Sequence, residues 1–232
     1  MHSKQRDITV KKLLLFDLDG TLLLTHGAGV RCMERAGKAV WGSDFSLAEV
    51  MIGGGLDPLI VREALAKLGR DLHPEDHERF KGLYETELKN DLATNKTVQV
   101  LPGVTEVLAT ARAHARSILG LLTGNYAGTG IAKLEAARLE HTWFTLKIWG
   151  DDGHTRPDLV RVAMQRAGNI APSDVFVIGD TPRDIDCAHK NGCACVAVAT
   201  GGYTRDELTQ AGADIVFDDL SDSSALWNFI HN

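Results

Sequence analysis

From about Ser117 to the C-terminus, short apolar runs alternate with helical patterns, and that alternation leaves few folds open. Consecutive strands joined through helices run parallel, because a parallel crossover needs about the length of a helix to return. Strands are expected near 12–17, 117–122, 145–148, 175–179, 193–199 and 214–217, with helices near 103–114, 127–139, 157–168, 182–190 and 205–211 between them. Pro102, Pro157 and Pro182 stand at helix starts, where a missing N–H costs little. A capped helix over 221–230 closes the chain, with Trp227 and Phe229 expected to dock it. The expected class is α/β, a Rossmann-like parallel sheet core.

Between the first apolar run and Pro102 no comparable strand signal occurs, only helical patterns near 29–41, 56–68 and 75–91. A stretch of that length inside an α/β chain predicts a separate helical bundle. The expected division is therefore a core of 1–24 and 98–232 with an inserted α-helical unit of 25–97. Gly27 and Gly29 give backbone freedom near its start, and Gly53-Gly54-Gly55 near its middle. The triple glycine reads either as a turn between helices or as a loop facing a ligand.

Three of the expected strands end in polar chemistry. The run Leu13–Phe16 is followed by Asp17-Leu18-Asp19-Gly20-Thr21. Alternate residues on extended backbone share a face, so Asp17 and Asp19 address one small volume, and two such charges call for a cation or a shared proton. Taken alone, Asp-x-Asp also fits an ordinary acidic loop. Leu119–Leu122 leads into Thr123-Gly124-Asn125, a hydroxyl and a turn ahead of a helix whose free N–H groups would attract a phosphoryl oxygen. Val175–Ile178 leads into Gly179-Asp180-Thr181-Pro182-Arg183-Asp184. Ligands of open parallel sheets bind beyond the carboxyl ends of the strands, so these groups are expected to converge.

In this order, the three segments resemble the motifs of the haloacid-dehalogenase-like hydrolases, in particular the phosphatase branch with a helical cap that includes phosphoglycolate phosphatases. The resemblance spans nearly the whole chain. It implies that Asp17 is the nucleophile, forming an aspartyl-phosphate, and that Asp19 is the general acid and later the base. It implies magnesium held by Asp17, by the backbone carbonyl of Asp19 and by Asp180, with Asp184 an outer ligand or an orienter of Asp180. Asp184 also reads as a surface acid in the first turn of a helix, where acids are favoured anyway, and Asp186 fits a solvated face. Thr123, Gly124 and Asn125 are the implied phosphate-binding residues.

The family's third motif is usually a lysine, often before proline, and this chain has Thr155-Arg156-Pro157. Arg156 is expected to bridge nucleophile and phosphate, since a guanidinium grips a phosphate in two places. Lys147 is a weaker stand-in, and Asp151, Asp152 and His154 read as an exposed loop. Leu24-Thr25 replaces the Asp-Ser pair common in phosphoglycolate phosphatases. A carboxylate at position 19 favours phosphoryl transfer over dehalogenation. The implied activity is magnesium-dependent hydrolysis of small phosphate monoesters, phosphoglycolate among the candidates. A sugar-phosphate mutase sharing the aspartyl-phosphate is the alternative. A non-catalytic phosphate-binding protein would be expected to lack Asp17, Asp19 or Asp180.

A net charge of −6 with no basic run gives no footprint for nucleic acid or an anionic membrane. The longest apolar stretches fall far short of the ~20 residues that span a bilayer. The polar opening Met1–Asp7 lacks the apolar centre of a secretion signal, so a cytoplasmic location and a small phosphorylated metabolite as partner are expected. Cysteines 32, 187, 193 and 195 lack zinc-site spacing and read as reduced thiols. Oligomeric state leaves no sequence signal.

Overall fold

The computed structural model describes residues 11–96 and 98–231. The polar opening Met1–Asp7 on which the missing secretion signal was read, Thr97 at the expected end of the insert and Asn232 lie outside them. Along the chain come β1 (Lys12–Phe16), β2 (Leu23–Leu24), α1 (Ala28–Trp41), α2 (Asp57–Lys67), α3 (Pro74–Asn95), β3 (Gln99–Val100), α4 (Val104–Ala113), β4 (Ser117–Leu122), α5 (Ala127–Ala136), β5 (Leu146–Ile148), α6 (Arg156–Arg166), β6 (Val175–Gly179), α7 (Pro182–His189), β7 (Ala194–Val198), α8 (Arg205–Gln210), β8 (Ile215–Phe217) and α9 (Ser223–His231). Every expected strand and helix is present, with bounds shifted by a few residues at most.

Six strands form one parallel sheet in the order β5-β4-β1-β6-β7-β8. Period-2 alternation along β1 serves two apolar layers: Leu13 and Leu15 pack with residues of α6, α7 and α8, while Leu14 and Phe16 pack with residues of α4, α5 and α9. All four side chains are fully buried, each contributing about 1.5–3 kcal/mol. Phe229 docks α9 edge-on against Phe176, ring centroids 6.0 Å apart.

The helices α1, α2 and α3 share a third apolar cluster. On α3 its stripe is Phe80, Tyr84, Leu88 and Leu92, spaced four residues apart so that one helical face carries all of them. The cluster reaches Tyr126 at the start of α5, which ties the helical unit to the sheet. At its neck, β2 and β3 pair antiparallel, Leu23 opposite Val100 and Leu24 opposite Gln99. These two-residue strands are too short to show a period and have no counterpart among the expected elements.

No helix among the described residues is long and apolar enough to cross a membrane. The four cysteines are buried and unpaired.

Candidate active site

The adjacency β4-β1-β6 brings together residues that lie far apart in sequence. Asp17 follows β1 and donates its N–H to the Ile178 carbonyl at 2.9 Å; Thr123 follows β4 and Asp180 follows β6. The chain then turns sharply at Gly20, whose φ of 83° suits glycine.

Oxygens of Asp17, Asp180 and Asp184 all lie within 4.8 Å of one another, and all three side chains are buried. Burial pushes the Asp17 and Asp180 carboxyls up, and repulsion from each other and from Asp184 adds to it at Asp180. Arg156 is the counterweight. Its Nη2 lies 3.0 Å from Asp17 Oδ2 and 2.5 Å from Asp184 Oδ1, and its Nη1 donates to the Gly54 carbonyl at 3.1 Å. Its Nε–H is buried without a protein oxygen as partner.

Asp184 is not a surface acid. It is fully buried, and its Oδ2 accepts from the Thr181 N–H at 3.1 Å and the Thr181 hydroxyl at 2.7 Å, closing the capping box of α7. Asp180 is seated tightly: Thr21 donates to its Oδ1 at 3.1 Å, and a Cβ at Gly20 or Gly201 would overlap its carboxylate. Three convergent carboxylates, two still rich in free lone pairs, form the hard oxygen set that magnesium prefers.

Asp19 turns the other way. Its side chain is 41% exposed and stands outside the three-acid cluster, so any metal contact from residue 19 would come from its carbonyl. Its Oδ2 lies 2.6 Å from Lys133 Nζ and 2.8 Å from Asn125 Nδ2. Asn125 Nδ2 also donates to Thr123 Oγ1 at 2.7 Å, which leaves the Thr123 hydroxyl proton free for a ligand.

Lys133 is a site residue that the sequence reading missed. It is 3% exposed and held at 2.6 Å by Asn125 Oδ1. A signal existed, because Lys133 shares the buried face of α5 with Thr129, Gly130 and Ala132. A second difference lies at the start of α5. The Tyr126 N–H is not free for phosphate; it donates to Asp57 Oδ2 at 3.1 Å, while the Asp57 N–H donates to the Gly124 carbonyl at 2.7 Å. Burial pushes the Asp57 carboxyl up to about 7, against the pull of Lys133 and the Tyr126 amide.

A cavity of about 360 Å³ lies above these groups. Its floor includes Asp17, Asp19, Thr123, Gly124, Asn125, Lys133, Arg156 and Asp180; its roof includes Leu24, Met33, Ile60 and Tyr84. Gly53, Gly54 and Gly55 line it too, which settles the triple glycine as a site-facing loop. That loop runs so close to the second motif that a Cβ at Gly124 would overlap the Gly55 carbonyl. Asp184 sits behind Arg156 and does not border the cavity.

Lys147 donates to the Phe144 carbonyl at 2.8 Å, Asp151 pairs with Lys81 at 3.3 Å, and Asp152 takes the Trp149 N–H at 2.8 Å. Asp186 pairs with Lys190 at 2.8 Å. None of these, nor His154, lines the cavity.

Comparison with known proteins accounts for this arrangement. A phosphoglycolate phosphatase of Photorhabdus laumondii is 27% identical over 219 residues, covering 91% of this chain and 90% of that protein. The crystal structure of a hydrolase from Pseudomonas syringae shares the fold with a TM-score of 0.72 at 23% identity, covering 96% of this chain and all of that one. CbbY from Rhodobacter sphaeroides, solved with xylulose-(1,5)-bisphosphate, shares it with a TM-score of 0.69 at 22% identity, covering 92% and 96%. The sequence profile of the haloacid dehalogenase-like hydrolases matches residues 14–198, and the chain belongs to that family.

Proposed function

We propose that this hydrolase cleaves small phosphate monoesters through an aspartyl-phosphate on Asp17, with magnesium at Asp17 and Asp180. The observation that carries the reading is the divergence of two carboxylates two residues apart. Asp17 is buried against Arg156 in the acid cluster, whereas Asp19 reaches into the cavity on Lys133 and Asn125. On this reading one attacks and the other handles a proton.

Phosphate-monoester hydrolysis demands barrier lowering of upwards of about 20 kcal/mol, so several groups must act together. Arg156 aims the Asp17 carboxylate, while the Thr123 hydroxyl offers a donor to the phosphoryl oxygens. Bound magnesium would neutralise charge between the carboxylates and the phosphate dianion. In its acid form Asp19 gives a proton to the leaving oxygen as the Asp17–phosphorus bond forms and the ester phosphorus–oxygen bond breaks. Asp19 then takes a proton from the water that splits the acyl phosphate, and Asp17 is restored. Asp184 orients Arg156 and Thr181.

Residues 25–97 act as a cap over a core of 1–24 and 98–232, a division supported by the separate apolar cluster and the paired neck. Closure over the strand ends excludes water and polymeric substrates. Phosphoglycolate, named for the relative from Photorhabdus, is the first ester to assay. Reduced, buried thiols fit a cytoplasmic setting.

Phosphate release from a panel of small esters with magnesium tests the reading, joined by acid quench with labelled ester. Label retained on wild type and absent from Asp17→Asn is the expected result. Turnover by Asp17→Asn at the wild-type rate would overturn it.

A further inference from the structure

The cations of the cavity floor are each paired with carboxylates of this chain. Among the described lining residues, the permanent cations are Lys133 and Arg156. Lys133 is held by Asp19 and Asn125, both at 2.6 Å, and Arg156 by Asp17 at 3.0 Å and Asp184 at 2.5 Å. Arg183 stands beside Gly54 and Gly55 but does not line the cavity. His26 lines it only from an exposed position at the rim. The cap adds an acid, Asp57, rather than a cation.

The remaining roof is largely apolar. Leu24, Met33, Ile52 and Ile60 line it, and Tyr84 and Thr25, both buried, supply its hydroxyls. The mouth continues the same character. Of the four large apolar residues exposed on the described surface, Val30 and Tyr203 line the cavity, and Met51, 70% exposed, immediately precedes the lining loop that starts at Ile52. Solvent-exposed apolar side chains gathered round one opening mark a binding surface for an apolar group.

We propose that the ester suited to this site carries an uncharged, largely apolar leaving group, such as an arylmethyl or branched alkyl alcohol, and neither a carboxylate nor a second phosphate. The proposal rests on the phosphatase reading above and names its substrate class. An anionic leaving group would be desolvated beside Asp19 and Asp57 with every lining cation except the rim histidine already paired, whereas an apolar one covers Leu24, Met33 and Ile60. The space fits one such group beside the phosphoryl. It does not fit a polymer.

Two measurements keep this separate from catalysis. In turnover, benzyl and isobutyl phosphate should exceed phosphoglycolate in kcat/KM by at least about tenfold, chiefly through KM. In binding, the non-hydrolysable analogues 2-phenylethylphosphonate and 3-phosphonopropionate should differ by a similar factor in calorimetry with magnesium present. Ile60→Lys, or Leu24→Lys at its half-buried position should the first fail to fold, should reverse the order by giving the carboxylate a partner. If no ester is turned over, the phosphatase reading falls while the two phosphonates still decide the leaving-group class. Binding of 3-phosphonopropionate as tight as or tighter than that of 2-phenylethylphosphonate by the wild-type protein would overturn the proposal.

Discussion

The floor and the roof of one cavity follow opposite rules of construction. The floor gathers Asp17, Thr123 and Asp180 at three adjacent strand ends beside Arg156, with Asp184 behind it, and there burial and like charge work against folding. The roof is the side of a small helical bundle, apolar and in keeping with its own core. On the proposed function, residues in the floor are held for chemistry at a cost in stability, and residues in the roof contribute to stability and shape. Substitutions should therefore behave differently on the two sides.

The largest effect belongs to Asp17. Asp17→Asn should lower kcat by roughly 10⁴ or more, as losses of a nucleophile do, while its melting temperature stays level or rises because one repelled buried charge is gone. A marked fall in melting temperature would break the comparison. Chelation should likewise remove activity and magnesium restore it, in the same phosphate-release assay.

Arg156 comes next, since it is the cation that the buried Asp17 and Asp184 share. Arg156→Ala leaves Asp17 and Asp184 buried without their cation and should cost about 3–5 kcal/mol in urea unfolding. Arg156→Lys keeps a charge there but cannot also hold the Gly54 carbonyl, so it should fall between alanine and wild type in both kcat and stability. Equal behaviour of the two variants would show that the guanidinium geometry does not matter.

Asp57 lies where roof meets floor, and its sign is set by burial. Its carboxyl titrates near its ordinary value, about 4, in the unfolded chain and is pushed up to about 7 in the folded one. Between those values the folded state holds a proton that the unfolded state has released, so the contribution of Asp57 to stability falls as pH rises from about 4 to about 7. Asp57→Asn lacks that slope and still accepts from Tyr126. Its stability relative to wild type should improve across the window by about 2–4 kcal/mol. A difference independent of pH would mean that Asp57 is ionised throughout.

The smallest effect is expected in the roof proper. Met33→Ala should leave kcat within about twofold, raise KM several-fold for apolar esters and cost about 1–2 kcal/mol, less than a sealed core site because the cavity borders it.

The two regions also differed in how far the sequence disclosed them. Asp17, Asp19, Thr123 and Asp180 were legible because each sits in a contiguous segment at the end of an apolar run, and the strand order needed only to bring three such ends together. Arg156 was legible as a cation before a proline, but its hold on Gly54 was not, because that contact crosses 102 positions of chain. Asp184 was open between surface and interior until Arg156 and Thr181 were seen to claim both its oxygens. Lys133 was overlooked because a single lysine in a helix reads as solvated until the buried face is drawn. The roof was hidden most. Met33, Ile60 and Tyr84 have the spacing of ordinary core residues, and nothing local separates those that pack from those that border a cavity.

The two-residue ladder of Leu23–Leu24 with Gln99–Val100 has a consequence for how such a protein can be rebuilt. The ends of the inserted bundle are bonded to each other across a single narrow waist, so the entropy of closing that long excursion is met by the host scaffold rather than by the bundle. Any replacement whose termini meet this ladder in register inherits a closed loop. The waist is thus a splice site. A different roof can be grafted there over the same floor, carrying a new choice of ester, provided that it also meets Arg156 and Tyr126 as Gly54 and Asp57 do now.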